Sequence, residues 1–245
     1  MIGVDGLQLA YSNPNAGGEQ RVIDGLSLEV AEGESLAIIG PSGCGKSSLL
    51  YILSGLIRPS DGDVRIHGRP IERPRPDVAL ILQDTGLLPW KTVWGNAVFG
   101  LDLREQGTLR RVKRALRELG LEGMEDRYPA QLSGGEKKRV GLARALAQEA
   151  GVLLMDEPLA ALDALTKERT QNLILSLWQT HGFTSLLVTH DIEEAVFLGQ
   201  RIAVLGPRPT RVVDVIDNPD MGTEGYRQSE TFFEVVRAVR GALSL

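Results

Sequence analysis

Gly40-Pro41-Ser42-Gly43-Cys44-Gly45-Lys46-Ser47 decides how the rest of this chain is read. The apolar run Leu36-Ala37-Ile38-Ile39 before it reads as a buried strand, and Ser48-Leu49-Leu50-Tyr51-Ile52-Leu53 after it reads as a helix. Strand, glycine loop, Lys-Ser and helix together make a phosphate-binding loop in the setting that makes the motif credible. Glycines at 40, 43 and 45 let the backbone take turns that side chains forbid, so successive N–H groups can converge on one anion. The N-terminus of the following helix adds its positive end. Lys46 is placed to reach the β- and γ-phosphates of a nucleotide, and the Ser47 hydroxyl to ligate Mg²⁺.

A chain of 245 residues can bury a sizeable core, as one large domain or two small ones. The formal net charge of −5 argues against nonspecific nucleic-acid binding, and no nucleic-acid partner is expected. A single cysteine, Cys44, excludes an internal disulfide and serves as a small residue that fits the phosphate loop. No basic-then-apolar leader is visible, and no apolar run approaches the roughly 20 residues that a membrane helix needs. The expectation is a cytoplasmic protein that serves a membrane only through a partner.

Outward from the loop, Val4 to Ala10 alternates as a half-buried strand closed by Tyr11, Ser12 to Gln20 reads as a turn-rich loop, and Arg21 to Val30 resumes the alternation. Asp61-Gly62 signals a tight turn ahead of a strand at Val64 to Ile66, Arg69 to Pro76 reads as a loop, and Val78 to Leu82 as a buried strand ending at Gln83. From Asp84 the pattern turns helical: Thr92 to Leu103, then Thr108 to Leu119 with Leu109, Val112, Leu116 and Leu119 on one face, then Glu136 to Gln148. Strands return at Val152 to Met155, Ser185 to Val188, Arg201 to Leu205 and Arg211 to Ile216, separated by helices at Ala164 to Thr180 and Asp191 to Leu198. A polar loop from Asn218 to Gly225 leads to a last amphipathic helix near Ser229 to Leu243. Alternating strands and helices argue for a mostly parallel, helix-flanked sheet interrupted by a helical insertion.

Val152-Leu153-Leu154-Met155-Asp156-Glu157 is an apolar strand ending in two carboxylates, and adjacent residues there point in different directions. Asp156 suits a Mg²⁺ shell, while Glu157 suits orienting and deprotonating a water. His190 ends the strand Leu186-Leu187-Val188-Thr189 where sheets deliver residues to nucleotides, whereas His67 and His181 lie in turn-like polar settings. Gln83 ends another strand, and its neutral amide can touch both Mg²⁺ and the attacking water; an ordinary strand-terminating polar residue is the competing reading. Leu132-Ser133-Gly134-Gly135-Glu136 is a second anion-binding device, a serine N-cap and two glycines at a helix start. One nucleotide has one γ-phosphate, yet the chain carries two cradles for it. A head-to-tail homodimer resolves this, each copy covering the nucleotide of the other with Ser133, Gly134 and Gly135.

Tyr11, the Gly40–Ser47 loop, Gln83, the LSGGE of Leu132–Glu136, Asp156-Glu157, the Ala161-Leu162-Asp163 turn and His190 follow one another in the order of an ATP-binding cassette (ABC) transporter ATPase, which the chain resembles over nearly its whole length. The resemblance implies an α/β P-loop NTPase fold: a RecA-like core with a parallel sheet flanked by helices, an antiparallel β part and an inserted helical subdomain. It implies a single domain over 1–245, with the nucleotide core at 1–83 and 151–217, the LSGGE-bearing helical subdomain at 84–150 and a short helical tail at 218–245.

The cofactors implied are ATP and Mg²⁺. Tyr11 would stack on adenine; residues 40–47 and Ser48, which stands where threonine is usual, would hold the phosphates; Ser47, Gln83 and Asp156 would hold the metal. Glu157 would be the general base and His190 the γ-phosphate sensor, with Lys46 and Gln83 completing the catalytic set. Ser133, Gly135 and Glu136 would belong to the partner's site and Asp163 would link the two sites.

Gln83-Asp84-Thr85-Gly86-Leu87-Leu88-Pro89-Trp90, with Thr92-Val93 and Asn96, is similar to the ATPases of nitrate, sulfonate and taurine importers, and this stretch would line a groove for the permease's coupling helix. A substrate-binding protein would complete such a system, placing the chain on the inner face of the cell membrane. Glu136-Lys137-Lys138-Arg139 departs from the Met-containing version commoner there. The competing classes are a soluble ABC ATPase of assembly or repair, an exporter's ATPase, and a small-molecule kinase, which leaves LSGGE without a purpose.

Overall fold

The computed structural model describes residues 1–13 and 18–244. In chain order these form β1 (Ile2–Asn13), β2 (Gly18–Val30), β3 (Ser35–Ile39), α1 (Lys46–Leu53), β4 (Asp61–Ile66) and β5 (Arg69–Pro70). Then come β6 (Val78–Ile81), α2 (Val93–Ala97), α3 (Thr108–Glu118), α4 (Gly134–Ala147), β7 (Val152–Asp156) and α5 (Ala164–His181). The last part holds β8 (Thr184–Thr189), α6 (Ile192–Leu198), β9 (Arg201–Leu205), β10 (Val212–Asp217) and α7 (Glu230–Leu243). The chain divides into two compact units, Met1–Arg75 with Gly182–Leu245, and Pro76–His181.

In the first unit an antiparallel sheet runs β2-β1-β4-β5. The alternation of β1 changes phase at Gly6: Ile2 and Val4 are buried before it, Leu7 and Leu9 after it. The register shifts between Val4 and Leu7, and Gly6 has φ 57°, so a bulge keeps both halves facing the core. The Asp61-Gly62 pair expected as a turn lies inside β4, because Gly62 crosses this bulge: a Cβ there would stand 2.5 Å from the Gly6 carbonyl oxygen.

The loop expected from Ser12 to Gln20 is shorter than its composition suggests. Backbone pairing continues to Asn13 opposite Gly18, and only residues 14–17 of that loop lie outside the described residues. Ladder bonds outweigh the weak strand propensity of Ser and Asn.

The same unit contains the parallel strands. β3 and β8 are buried at every position, as strands covered on both faces are, and β3 pairs in parallel with both β8 and β9. β10 returns antiparallel to β9. The tail is anchored here as well. Asn218, expected in a polar loop, is 1% exposed and donates from Nδ2 to the carbonyls of Val196 and Gly199 at 2.7 Å each, while the Tyr226 hydroxyl donates to its Oδ1. Arg227 stacks 3.9 Å over the Phe197 ring.

In the second unit β6 and β7 pair in parallel, and α4 packs against α2 and α3. The helix expected at Thr92 to Leu103 is one short segment. Thr92 caps it, and Gly95 and the left-handed Gly100 (φ 88°) give the chain no reason to continue it. In α3 the buried stripe runs Thr108, Val112, Ala115, Leu116, so Leu109, expected on that face, is 51% exposed. Thr108 holds the phase of the stripe instead, with its hydroxyl donated to the Asp102 carbonyl at 3.0 Å. His181 ends α5 paired with Glu118 at 2.8 Å, while back in the first unit Arg69 and Pro70, expected in a loop, pair with Ile66 and Arg65 as β5. Among the described residues no helix is long and apolar enough to cross a membrane.

Candidate active site

Each unit carries candidate site residues on the carboxyl ends of paired parallel strands, where α/β sheets bind ligands. In the first unit Ile39 of β3 pairs with Thr189 of β8, so the Gly40 loop and His190 leave the sheet side by side. In the second, Ile81 of β6 pairs with Met155 of β7, which brings Gln83 and Glu157 out together.

The loop from Gly40 to Gly45 follows from its glycines. A Cβ on Gly40 would lie 2.9 Å from the Leu205 carbonyl oxygen and 3.2 Å from Cys44 Sγ. Gly45 has φ 115°, and a Cβ on it would meet Val22 Cγ1 at 2.8 Å. Gly45 caps α1 without any side-chain hydrogen bond, and the first turn of α1 holds no acidic residue. No carboxylate of the first turn therefore competes for its leading N–H groups, which suits an external anion. Lys46 is 7% exposed and bridges the loop, its Nζ donating to Gly40 O at 2.8 Å and Pro41 O at 2.9 Å. An ammonium has three donors, so these two bonds fix its position and leave one for a phosphate oxygen. Cys44 is buried, in keeping with a packing role.

Tyr11 is 43% exposed and its hydroxyl lies 3.4 Å from Ser48 Oγ, so the ring stands beside the start of α1. A residue that sequence reasoning missed also holds the loop. Thr210, 1% exposed, donates its hydroxyl to the Cys44 carbonyl, while its backbone N–H bonds Val22 O at 2.8 Å. Position 210 follows β9 by several residues, and no local pattern links it to Cys44, 166 residues earlier.

In the second unit the Gln83 amide donates from Nε2 to Glu157 Oε2 at 3.2 Å. Glu157 has φ 44°, a left-handed conformation that non-glycine residues adopt at a cost, and Asp156 before it is 3% exposed. The turn at 156–157 thus buries one carboxylate and presents the other. The backbone after Gln83 is held by side chains from afar. Lys138 Nζ donates to Gln83 O; Arg144 donates to Thr85 O and Gly86 O at 2.9 Å each. Burial pulls the Arg144 guanidinium below its ordinary pKa. Asn96, fully buried, bonds the Leu88 N–H at 2.7 Å and the carbonyls of Leu88, Lys91 and Thr92 at 3.0–3.1 Å. Trp90 projects from this braced segment 71% exposed.

Ser133 and Glu136 form a closed capping box at the start of α4: Glu136 N–H to Ser133 Oγ 3.2 Å, Ser133 N–H to Glu136 Oε2 2.6 Å. Those bonds with the Ser133 backbone and then its side chain hold the Glu136 carboxyl below its usual pKa. Gly135 passes so close to α5 that a Cβ would stand 2.6 Å from Thr166 Cγ2. Asp163 accepts the Thr166 N–H at 3.0 Å at the head of α5, and bonds with Thr166, side chain first, lower its pKa.

This arrangement agrees with what comparison with known proteins finds. The ABC transporter family model matches residues 23–160, more than half of the chain. The taurine import ATP-binding protein TauB of Escherichia coli O157:H7 is 44% identical over 85% of this chain and 82% of its own length. An ABC transporter ATP-binding protein of Methanocaldococcus jannaschii is 43% identical over 93% of this chain and 86% of its own. Among solved structures, the dimeric bacterial ABC transporter cassette MJ0796 superposes with a TM-score of 0.77 at 30% identity, covering 89% of this chain and 98% of that one. A second structure of MJ0796, a dimer in a post-hydrolysis state bound to ADP and Pi, gives 0.76 at 29% identity over the same shares. Nucleotide binding, ATP hydrolysis and the P-loop NTPase fold with its RecA-like core follow together, and this chain belongs to the ABC transporter family as an ATP-hydrolysing, nucleotide-binding subunit.

Proposed function

We propose that the chain powers an importer for a small anion or organic solute of the nitrate, sulfonate or taurine kind, working as a head-to-tail homodimer with ATP between its copies. The observation that carries this is the pairing of strand ends: the phosphate loop beside His190 in one unit, and Gln83 bonded to Glu157 in the other. Lys46 and the loop N–H groups neutralise the β- and γ-phosphates, and Tyr11 stacks on the base. Glu157 takes the proton of the attacking water while Gln83 orients it, and His190 donates to the γ-phosphate. Ser133, with Gly134, Gly135 and Glu136 behind it, closes on the partner's nucleotide, and Asp163 senses that closure.

Among the described residues no cluster of three or more His, Cys, Asp or Glu side chains is built to cage a metal. A nucleotide-borne Mg²⁺ takes most of its oxygens from phosphate and water and only a carboxylate or two from the protein, so the Ser47 hydroxyl, the Gln83 amide oxygen and the Asp156 carboxylate fit it. Held by these residues, the metal would supply positive charge to offset the charge that builds on the phosphate oxygens.

Residues 84–150 are proposed as the helical subdomain that moves against the nucleotide core of 1–83 and 151–217, with 218–245 as a tail. Exposed Trp90, with half-buried Leu87 and Leu88, offers the coupling helix of a permease an apolar seat on a rigid mount. That contact places the chain at the cytoplasmic face of the membrane, and a substrate-binding protein completes the system. Phosphate release measured without any acceptor tests the catalytic roles. Lys46→Ala is expected to lose turnover, and Glu157→Gln to bind ATP while turnover falls about 100-fold or more; wild-type turnover in Glu157→Gln refutes the base assignment.

A further inference from the structure

The backbone at His190, a member of the proposed catalytic set, is enclosed by a hydrogen-bonded circuit. β8 ends at Thr189 and α6 begins after its N-cap, Asp191, so His190 is the single residue between a buried strand and a helix cap. The Asp191 side chain accepts the Glu194 N–H at 3.0 Å, the first half of a capping box. In an ordinary box the side chain three residues into the helix returns to the backbone N–H of the cap residue. Here Thr189 is inserted into that return path. The Asp191 N–H donates to Thr189 Oγ1 at 3.1 Å, and the Thr189 hydroxyl donates onward to Glu194 Oε2 at 2.9 Å. Thr189 is 1% exposed and Glu194 3%, whereas His190 is exposed. The circuit Asp191 N–H, Thr189 hydroxyl, Glu194 carboxylate clasps His190 from both sides and leaves its side chain outside.

A buried carboxylate is costly to keep unless its bonds serve a purpose that an apolar residue could not. Leucine at 194 would extend the apolar run Ala195 to Leu198, all buried, without any such cost. The geometry points to Glu194, acting through Thr189, as a positioning residue that fixes the backbone at His190 so that its imidazole meets the γ-phosphate of ATP. Glu194 touches no phosphate itself. The carboxylate accepts the hydroxyl proton, which orients the hydroxyl lone pairs toward the Asp191 N–H. This inference rests on the role of His190 proposed above.

The test uses the full chain, with turnover and nucleotide affinity measured beside the ring resonances of its three histidines, His67, His181 and His190. Glu194→Ala and Thr189→Val are expected to lower kcat about 10-fold while the Kd for ATP stays within about 2-fold. They are expected to move the His190 resonance and leave those of His67 and His181 in place. Glu194→Gln keeps an acceptor and Thr189→Ser keeps the hydroxyl, so both should restore rate and resonance toward wild type. Where Glu194→Ala does not fold, Thr189→Val decides. A folded Thr189→Val with wild-type kcat, an unmoved His190 resonance, or a conservative variant as impaired as the radical one each overturns the inference. His190→Ala keeps the two failures apart. If it turns over ATP at the wild-type rate, the role of His190 falls and this inference with it; if it is impaired while Thr189→Val is not, only the inference falls.

Discussion

The phosphate loop at 40–47 and the segment at 83–92 both follow a strand, yet they are held in place by different means. The first takes its shape chiefly from its own backbone: Gly43 and Gly45 at positive φ, Gly40 against Leu205, and a lysine folded onto the carbonyls of the same loop. The second also turns at positive φ, at Thr85 (66°) and Gly86 (53°), but its carbonyls are held from two helices by Lys138, Arg144 and Asn96. A loop built on glycines brings backbone N–H groups close to an anion. A segment braced by side chains is fixed in place yet tied to the helices that brace it.

Breaking each device in turn sharpens the contrast. The largest effect is expected from Gly45→Ala, which forces a side chain into φ 115° with Val22 at 2.8 Å. Strain of about 1–3 kcal/mol plus the clash should weaken ATP binding roughly 10-fold or more in a nucleotide titration, with the second unit undisturbed. Arg144→Met should do the reverse. Losing two charge-assisted bonds to buried carbonyls costs roughly 2–3 kcal/mol in denaturant unfolding, while ATP affinity changes little. The smallest effect concerns the tail. Burial pushes the Tyr226 hydroxyl up to about 12, from an ordinary 10.0. The unfolded chain therefore releases this proton first. The stability it contributes is whole below pH 10.0 and declines as pH rises toward about 12. Tyr226→Phe should flatten that decline in thermal melts across this range.

The same contrast explains what could be read from the chain. Gly40–Ser47, Ser133–Glu136 and Asp156-Glu157 announce themselves because contiguous backbone geometry and strand-end placement need particular residues at fixed spacing. Thr210 on the Cys44 carbonyl and Arg144 on Thr85 and Gly86 do not, since a side chain can reach a carbonyl from anywhere in the fold. Register hid as well: the Gly6 bulge reverses the phase of β1, and Thr108 rather than Leu109 keeps the stripe of α3. Turn-rich composition overstated the 12–20 loop because cross-strand pairing, which composition does not encode, carries the ladder to Asn13.

The central claim is that one copy supplies only part of each working nucleotide pocket, and its neighbour's Ser133 the rest. Sedimentation of Glu157→Gln at micromolar concentration with ATP tests it most directly, alone and combined with Ser133→Arg. The account predicts a particle of twice the chain's 26.6 kDa for the single variant, and a monomer for the double variant. A Glu157→Gln chain that stays monomeric in saturating ATP, or a dimer indifferent to arginine at 133, would contradict it.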